Sequence, residues 1–178
     1  MNDDVFAGIP VLLEARPDRN RSGLLRDLYL IPEGIVPAVE RLFAAGYHLE
    51  DISGLDTKDG ILVSYHFDHF EKPGRIALRV LSPHDTPKVP SIANIFDGAQ
   101  WHERELSDFY GVVFEGNPNP TPLLLPATDV TTPLRKAEAS RVSLGDLIDP
   151  GEIVQMDPRF DYFAPKDNTD AESKEAEA

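Results

Sequence analysis

The chain has 178 residues, with 17 Lys+Arg against 31 Asp+Glu for a formal charge of −14. That length suits one domain with a sizeable core plus extensions and excludes a second full domain, while the acidity repels nucleic acid at long range and disfavours anionic lipid. Cysteine is absent, so disulfides, thiolate nucleophiles, Cys-zinc sites and ordinary cysteine-ligated iron–sulfur clusters are excluded together.

Asp3 and Asp4 stand where a secretory signal carries basic residues, and no apolar run approaches a bilayer span. The expectation is a soluble intracellular protein with no direct membrane insertion. Residues 1–26 give no regular signal: Ile9 to Glu14 has the composition of an edge strand, Arg16 to Ser22 is polar and basic, and the whole reads as an N-terminal extension. From Asp27 the pattern becomes regular. Leu28 to Ile31 is a short strand, and Pro32 to Gly46 is an amphipathic helix with apolar Ile35, Val36, Val39, Leu42 and Phe43 on one face. Pro37 delays its regular part to about Val36, and Gly46 ends it.

His48 to Leu55 is a second strand, and Asp59-Gly60 turns into Ile61, Val63, Tyr65 and Phe67, which alternate with Leu62, Ser64, His66 and Asp68. After Lys72-Pro73-Gly74, Ile76, Leu78 and Val80 repeat the alternation and complete a hairpin. The order strand, helix, strand, strand, strand predicts an α+β fold, a small antiparallel-rich sheet with helices on one face, for a core domain over residues 27–116. Ser91 then reads as the N-cap of a short helix through Phe96.

Trp101 to Tyr110 is a further helix, stopped by Gly111 and followed by extended Val112 to Phe114. On a helical wheel Phe109, His102, Leu106 and Tyr110 share the arc a helix buries, with Glu105 at its edge between Trp101 and Phe109. This placement predicts that Glu105 needs a cation, that Glu103 is solvated, and that Arg104 and Asp108 pair on the exposed side. Glu105→Ala is then the more damaging of the two glutamate deletions. Because Glu103 and Glu105 differ by about 160° around the axis, they cannot form a catalytic carboxylate pair.

Eight of the sixteen prolines lie from Pro118 onward, which argues against regular helix or internal sheet there. Leu123 to Leu125, Leu134, Val142, Leu144, Leu147, Ile148, Phe160, Tyr162 and Phe163 nevertheless keep the stretch apolar. The reading is an extended Pro-rich C-terminal arm over 117–165 that buries itself on a partner, then a disordered acidic tail over 166–178. Truncation after Gly116 is expected to leave a folded domain. His66 and His69 with Asp68 could hold a metal, but strand alternation sends His66 and His69 to opposite faces. Arg135 and Lys136 neutralise Glu105, face an acidic surface of a partner, or lie on a solvated arm. With no phosphate loop or nucleophile elbow, the residues favour a structural subunit over an enzyme.

Trp101-His102-Glu103-Arg104-Glu105 with Asp108-Phe109-Tyr110-Gly111, then Phe114-Glu115-Gly116-Asn117-Pro118, resembles the signature of the 30-kilodalton subunit family of NADH:quinone oxidoreductase, respiratory complex I. The same module occurs in membrane-bound energy-converting NiFe hydrogenases. Pro133-Leu134-Arg135-Lys136 resembles the family's second motif, so the likeness runs from about Asp27 to Lys136. The chain departs from the pattern at Asn117, where the family has histidine, and at Pro120 to Leu123, where it has a pair of arginines.

The resemblance implies a non-catalytic assembly subunit in the peripheral arm of an electron-transferring, ion-translocating oxidoreductase. No cofactor is implied in this chain; iron–sulfur clusters or a NiFe centre belong to partner subunits. Those partners are the large catalytic subunit, homologous to the hydrogenase large subunit, and a neighbouring iron–sulfur subunit. They hold the chain on the cytoplasmic face of the cell membrane. The motif residues, Trp101, Glu103, Arg104, Glu105, Asp108, Phe109, Tyr110, Gly111, Phe114, Gly116, Pro118, Pro133, Leu134, Arg135 and Lys136, become the implied partner interface. The rival readings are an independent metal-dependent enzyme using His66 and His69, and a transient assembly factor.

Overall fold

Residues 5–128 and 131–162 are described by a computed structural model. In chain order they form β1 (Val11–Ala15), the single turn α1 (Arg19–Ser22), β2 (Leu24–Leu30), α2 (Ile35–Ala44), β3 (His48–Asp56), β4 (Ile61–Asp68), β5 (Arg75–Ser82), β6 (Lys88–Pro90), α3 (Ala99–Tyr110), β7 (Val113–Glu115) and β8 (Ile153–Met156). One sheet has the order β3-β4-β5-β2-β1-β8, and β6 and β7 form a separate parallel pair. Only β2 with β5 is parallel in the large sheet. α2 carries the chain from β2 across one face to the far edge, and the hairpins β3-β4 and β4-β5 step back until β5 lies beside β2. The α+β class and the antiparallel-rich sheet are as the alternation predicts.

That alternation decides what each face does. Val63, Tyr65 and Phe67 lie opposite Val80, Leu78 and Ile76 in register, and all six are buried on the inner face. They pack with Leu28 and Leu30 of β2, Ile35, Ala38, Val39 and Leu42 of α2, and Ala99 and Leu106 of α3. A short 3-10 turn over Pro32–Gly34 precedes α2, so Pro37 falls in its first turn, where a missing N–H breaks no intrahelical bond. The segment after Ser91 is one turn closed by Phe96 N–H on the Ile92 carbonyl, not the short helix expected; Ser91 caps it by accepting from Ala93 N–H.

Two assignments change on the outer face. Residues 11–26, read as an extension, supply β1 and the start of β2, and β1 lies inside the sheet between β2 and β8. Its alternation is hidden because Leu13, Glu14 and Ala15 are all buried, with the Glu14 carboxylate chelated by Arg26 at 2.9 Å through both oxygens. The second change concerns the arm. Its far part returns to this chain's own sheet, where Leu144, Ile148 and Phe160 cover Leu13, Ala15, Tyr29 and Leu62, and β8 pairs antiparallel with β1. Prolines at 150 and 158 flank β8, leaving four residues free of them, and an outermost strand of that length tolerates such neighbours. Phe163 and the acidic tail 166–178 lie outside the described residues.

Candidate docking site

The signature helix α3 is rotated from the placement that its aromatic residues suggest. Its buried positions are Ala99, Glu103, Arg104 and Leu106, and 99, 103, 106 and 110 form the inward stripe at helical spacing. Trp101 is 54% exposed, with the Arg104 guanidinium 4.9 Å from its ring centroid. Placing Glu105 at the edge of an arc formed by Phe109, His102, Leu106 and Tyr110 therefore picks the wrong glutamate. Glu103 is fully buried, whereas Glu105 is only half-buried.

Among the described residues no cation sits on Glu103; neutral donors hold it. Its carboxylate accepts from the Ser91 hydroxyl at 2.6 Å, from Ile92 N–H at 2.8 Å and from the Asn117 amide at 2.7 Å. Burial pushes its pKa up, and those three hydrogen bonds only partly offset the rise. One carboxylate thus joins the 91–92 turn, α3 and the first residue of the arm. The Ser107 hydroxyl lies 2.9 Å from the Glu103 carbonyl and 2.7 Å from that of Val112. Gly111 closes the helix at φ 70° with its N–H on the Ser107 carbonyl, a left-handed conformation that favours glycine.

Arg104 and Asp108 do not pair as expected from their spacing; each takes hold of the arm. Arg104, 8% exposed, donates to the Thr121 carbonyl at 2.7 Å and the Pro122 carbonyl at 3.0 Å. A single oxygen of Asp108 receives the consecutive N–H groups of Leu123, Leu124 and Leu125 at 2.9, 2.7 and 3.0 Å. Burial raises the Asp108 pKa, but these bonds, together with the nearby Arg104 charge, outweigh it and hold the carboxyl below its ordinary value.

The second motif is fastened next. Leu134 N–H meets the Phe109 carbonyl at 3.2 Å, and Arg135 donates to the carbonyls of Tyr110 at 2.8 Å and His84 at 3.4 Å. Arg135 is thus a backbone staple, not the counter-ion of Glu105. Lys136 contributes its backbone N–H, 2.7 Å from Asp56. Asp56, fully buried, also binds His84 at 2.7 Å and Arg141 at 3.1 Å. Burial raises its pKa, and the bonds from Lys136, His84 and Arg141 overcome that and lower it. Asp59 in the adjoining turn accepts from Leu144 N–H at 2.7 Å. Tyr110 reaches sideways to the Gly54 carbonyl at 2.7 Å, and a Cβ at Gly54 would lie 2.7 Å from its ring.

Of the remaining motif residues, Phe114 of β7 is buried in the main core, Gly116 adopts φ 93°, and Pro118 and Pro133 are exposed. Leu124 and Leu134 are 59% and 47% exposed. Ser91, Asn117, Asp56 and Asp59 were not singled out from sequence as holding residues; the Asp59-Gly60 turn signal was the nearest pointer. The histidines do not converge: His66 Nδ1 is 2.8 Å from Asp51, while His69 Nδ1 accepts N–H groups of Glu71 and Lys72, both at 3.1 Å. Among the described residues no group of His, Cys, Asp or Glu is arranged to hold a metal ion, and no helix is long and apolar enough to cross a membrane.

Residues 28–141 match the family described as respiratory-chain NADH dehydrogenase, 30 Kd subunit. An NADH-quinone oxidoreductase subunit from Chloroherpeton thalassium (strain ATCC 35110 / GB-78) is 41% identical over 87 residues, covering 48% of this chain and 36% of the relative. The match thus spans little more than a third of that relative's length. A chain in the structure of a membrane-bound sulfane sulfur reductase, an archaeal respiratory membrane complex, superposes with a TM-score of 0.57 at 21% identity, over 77% of this chain and 79% of that one; the likeness is one of fold. The trypsin-resistant fragment (1-134) of Nqo5 gives a TM-score of 0.49 at 27% identity, over 53% of this chain and 81% of the fragment.

Proposed function

The chain belongs to the 30 Kd subunit family of the respiratory-chain NADH dehydrogenase, and from that premise we propose that it is a docking subunit of a complex I-like oxidoreductase, without catalysis of its own. It binds the large catalytic subunit and a neighbouring iron–sulfur subunit, whose cofactors carry the electrons, and it lies peripherally on the inner face of the membrane through them. The observation that carries this reading is the strap 117–141. Arg104, Asp108 and Asp56 fix its backbone on the domain and Glu103 holds the Asn117 side-chain amide, while Leu124, Leu134 and the adjacent Trp101 face outward.

Holding a loop by its backbone leaves its side chains for something else. A segment already ordered in the free subunit also loses less conformational entropy on docking than a flexible one. The lack of any cysteine agrees with electron carriers lying in other chains. A tagged copy expressed in the native host tests the reading. Stoichiometric recovery with a cluster-bearing large subunit from solubilised membranes is expected, and recovery of the tagged chain alone would sink it. Presence during assembly but absence from the mature complex would favour the transient assembly factor instead.

A further inference from the structure

Exposure along the first half of the strap follows a rule. From 117 to 126 the even positions Pro118, Pro120, Pro122, Leu124 and Pro126 are exposed, while the odd positions Asn117, Asn119, Leu123 and Leu125 are half-buried and only Thr121 among them is exposed. The domain holds this stretch from Asn117 by Glu103, through the Thr121 and Pro122 carbonyls by Arg104, to the N–H groups of Leu123, Leu124 and Leu125 by Asp108. What remains outside is a ridge of proline rings with one leucine. Asn117, Asn119 and Thr121 each precede a proline and are thereby restricted to extended conformations, and the rings fix their own φ. The ridge is therefore stiff before anything binds it.

The backbone has little left to offer. The prolines carry no N–H. The N–H groups of Asn117, Asn119, Leu123, Leu124 and Leu125 are bonded to Phe114, Asn117 and Asp108, and Arg104 occupies the carbonyls of Thr121 and Pro122. A continuous main-chain ladder with a partner strand is disfavoured on this edge, so recognition runs chiefly through side chains. Charge narrows the choice further. No Asp, Glu, Lys, Arg or His occurs from Gly116 to Thr128, in a chain of net charge −14, so a basic surface would be drawn elsewhere on this protein.

We infer that the ridge Pro118–Pro126 seats in an uncharged groove on a neighbouring subunit, lined by aromatic side chains. Flat rings pack closely against proline rings, and the ordered ridge keeps the entropic cost of docking small. Trp101 extends the same surface, since Arg104 stacks against its indole and holds the strap's carbonyls. This inference rests on the docking role above and adds the kind of surface that is met.

The experiment uses the full chain, tagged, in its native host, with the photocrosslinker benzoylphenylalanine at Leu124 and, as a control, at Val154 of β8. The expected product is an adduct from 124, not from 154, to an uncharged, Trp-, Tyr- or Phe-containing peptide of another subunit. An adduct to a second copy of this chain, to its own residues 163–178 or to a charged or non-aromatic peptide overturns the inference, as does no adduct while the chain still co-purifies with the complex. In parallel, Pro120→Asp with Pro122→Asp should lower recovery of the complex by at least about ten-fold. Slow hydrogen exchange at Leu123 to Leu125 in that variant shows that the strap is still seated, and wild-type recovery then also overturns the ridge. If the unaltered chain co-purifies with no other subunit, the docking role fails and the ridge falls with it.

Discussion

The strap 117–141, with five prolines, and the closing segment 142–162, with two, are consecutive and held in opposite ways. The strap is fastened by polar groups: Glu103, Arg104, Asp108 and Asp56 bind its backbone or amide groups, and its apolar side chains Leu124 and Leu134 remain exposed. In the closing segment Leu144 is fully buried, Ile148 and Phe160 nearly so, and β8 extends the sheet. Phe160 sets its ring edge-on to Tyr29, with centroids 5.4 Å apart. The difference separates two jobs that the sequence merges into one arm. One half presents a surface, and the other completes the second face of the domain.

Removing the closing half breaks the comparison most severely. A chain ending at Arg141 uncovers Leu13, Tyr29 and Leu62 and strips β1 of its outer partner β8, so it should fail to fold as a cooperative unit in urea titration. The sequence-based expectation that truncation after Gly116 leaves a folded domain reverses for the same reason. Leu144→Ala isolates one part of that effect and should cost about 2–5 kcal/mol, the range for emptying a fully buried leucine site. If Leu144→Ala changes the unfolding midpoint no more than an exposed strap leucine does, the segment is not part of the core.

Next in size is the contrast within α3. Glu103→Ala leaves Ser91, Ile92 and Asn117 without their acceptor, at about 1–3 kcal/mol for each donor that stays buried and unpaired. Glu105→Ala, at a half-buried position, should fall within about 0.5 kcal/mol of wild type. Equal unfolding midpoints for the two variants would contradict the observed rotation of the helix. Asp108→Ala should act more locally. Amide exchange at Leu123, Leu124 and Leu125 should accelerate, with a smaller change in global stability, because the strap lies outside both cores.

Much of the sheet was legible because period-two alternation in β4 and β5 reflects one face packed on helices and the other less so. β1 was not, since burial on both sides of Leu13, Glu14 and Ala15 erases alternation. In α3 the wheel ranked residues by hydrophobicity, yet the inward stripe contains a glutamate whose three donors come from residues 91, 92 and 117. No local pattern announces donors so far away in sequence. The same holds for Asp56, whose partners Lys136 and Arg141 lie about eighty residues on. The motif could be recognised as a unit, with Gly111 as its helix stop, before its charged residues could be given the right job.

The subtlest test sets the clamps against one another by pH. Asp108 and Asp56 have folded-state pKa values below the ordinary aspartate value, so each contributes stability that is present above the unfolded value of about 3.9 and lost as pH falls through the folded one. Glu103 has the opposite sign. Its folded pKa is raised by burial, the folded state binds the extra proton, and stability falls as pH rises from about 4.3, the unfolded glutamate value, through the folded value. Mild acidification from neutrality should therefore first relieve the domain at Glu103 and only later, below the ordinary aspartate range, loosen the strap. Urea midpoints measured against pH should show the mild-acid gain disappear in Glu103→Gln and the strong-acid loss shrink in Asp108→Asn. A Glu103→Gln profile parallel to wild type between about pH 4.3 and 7 would mean that the buried carboxylate already carries its charge at no net cost, its three donors balancing burial. The contrast between a glutamate clamp that resists ionisation and aspartate clamps that depend on it would then be lost.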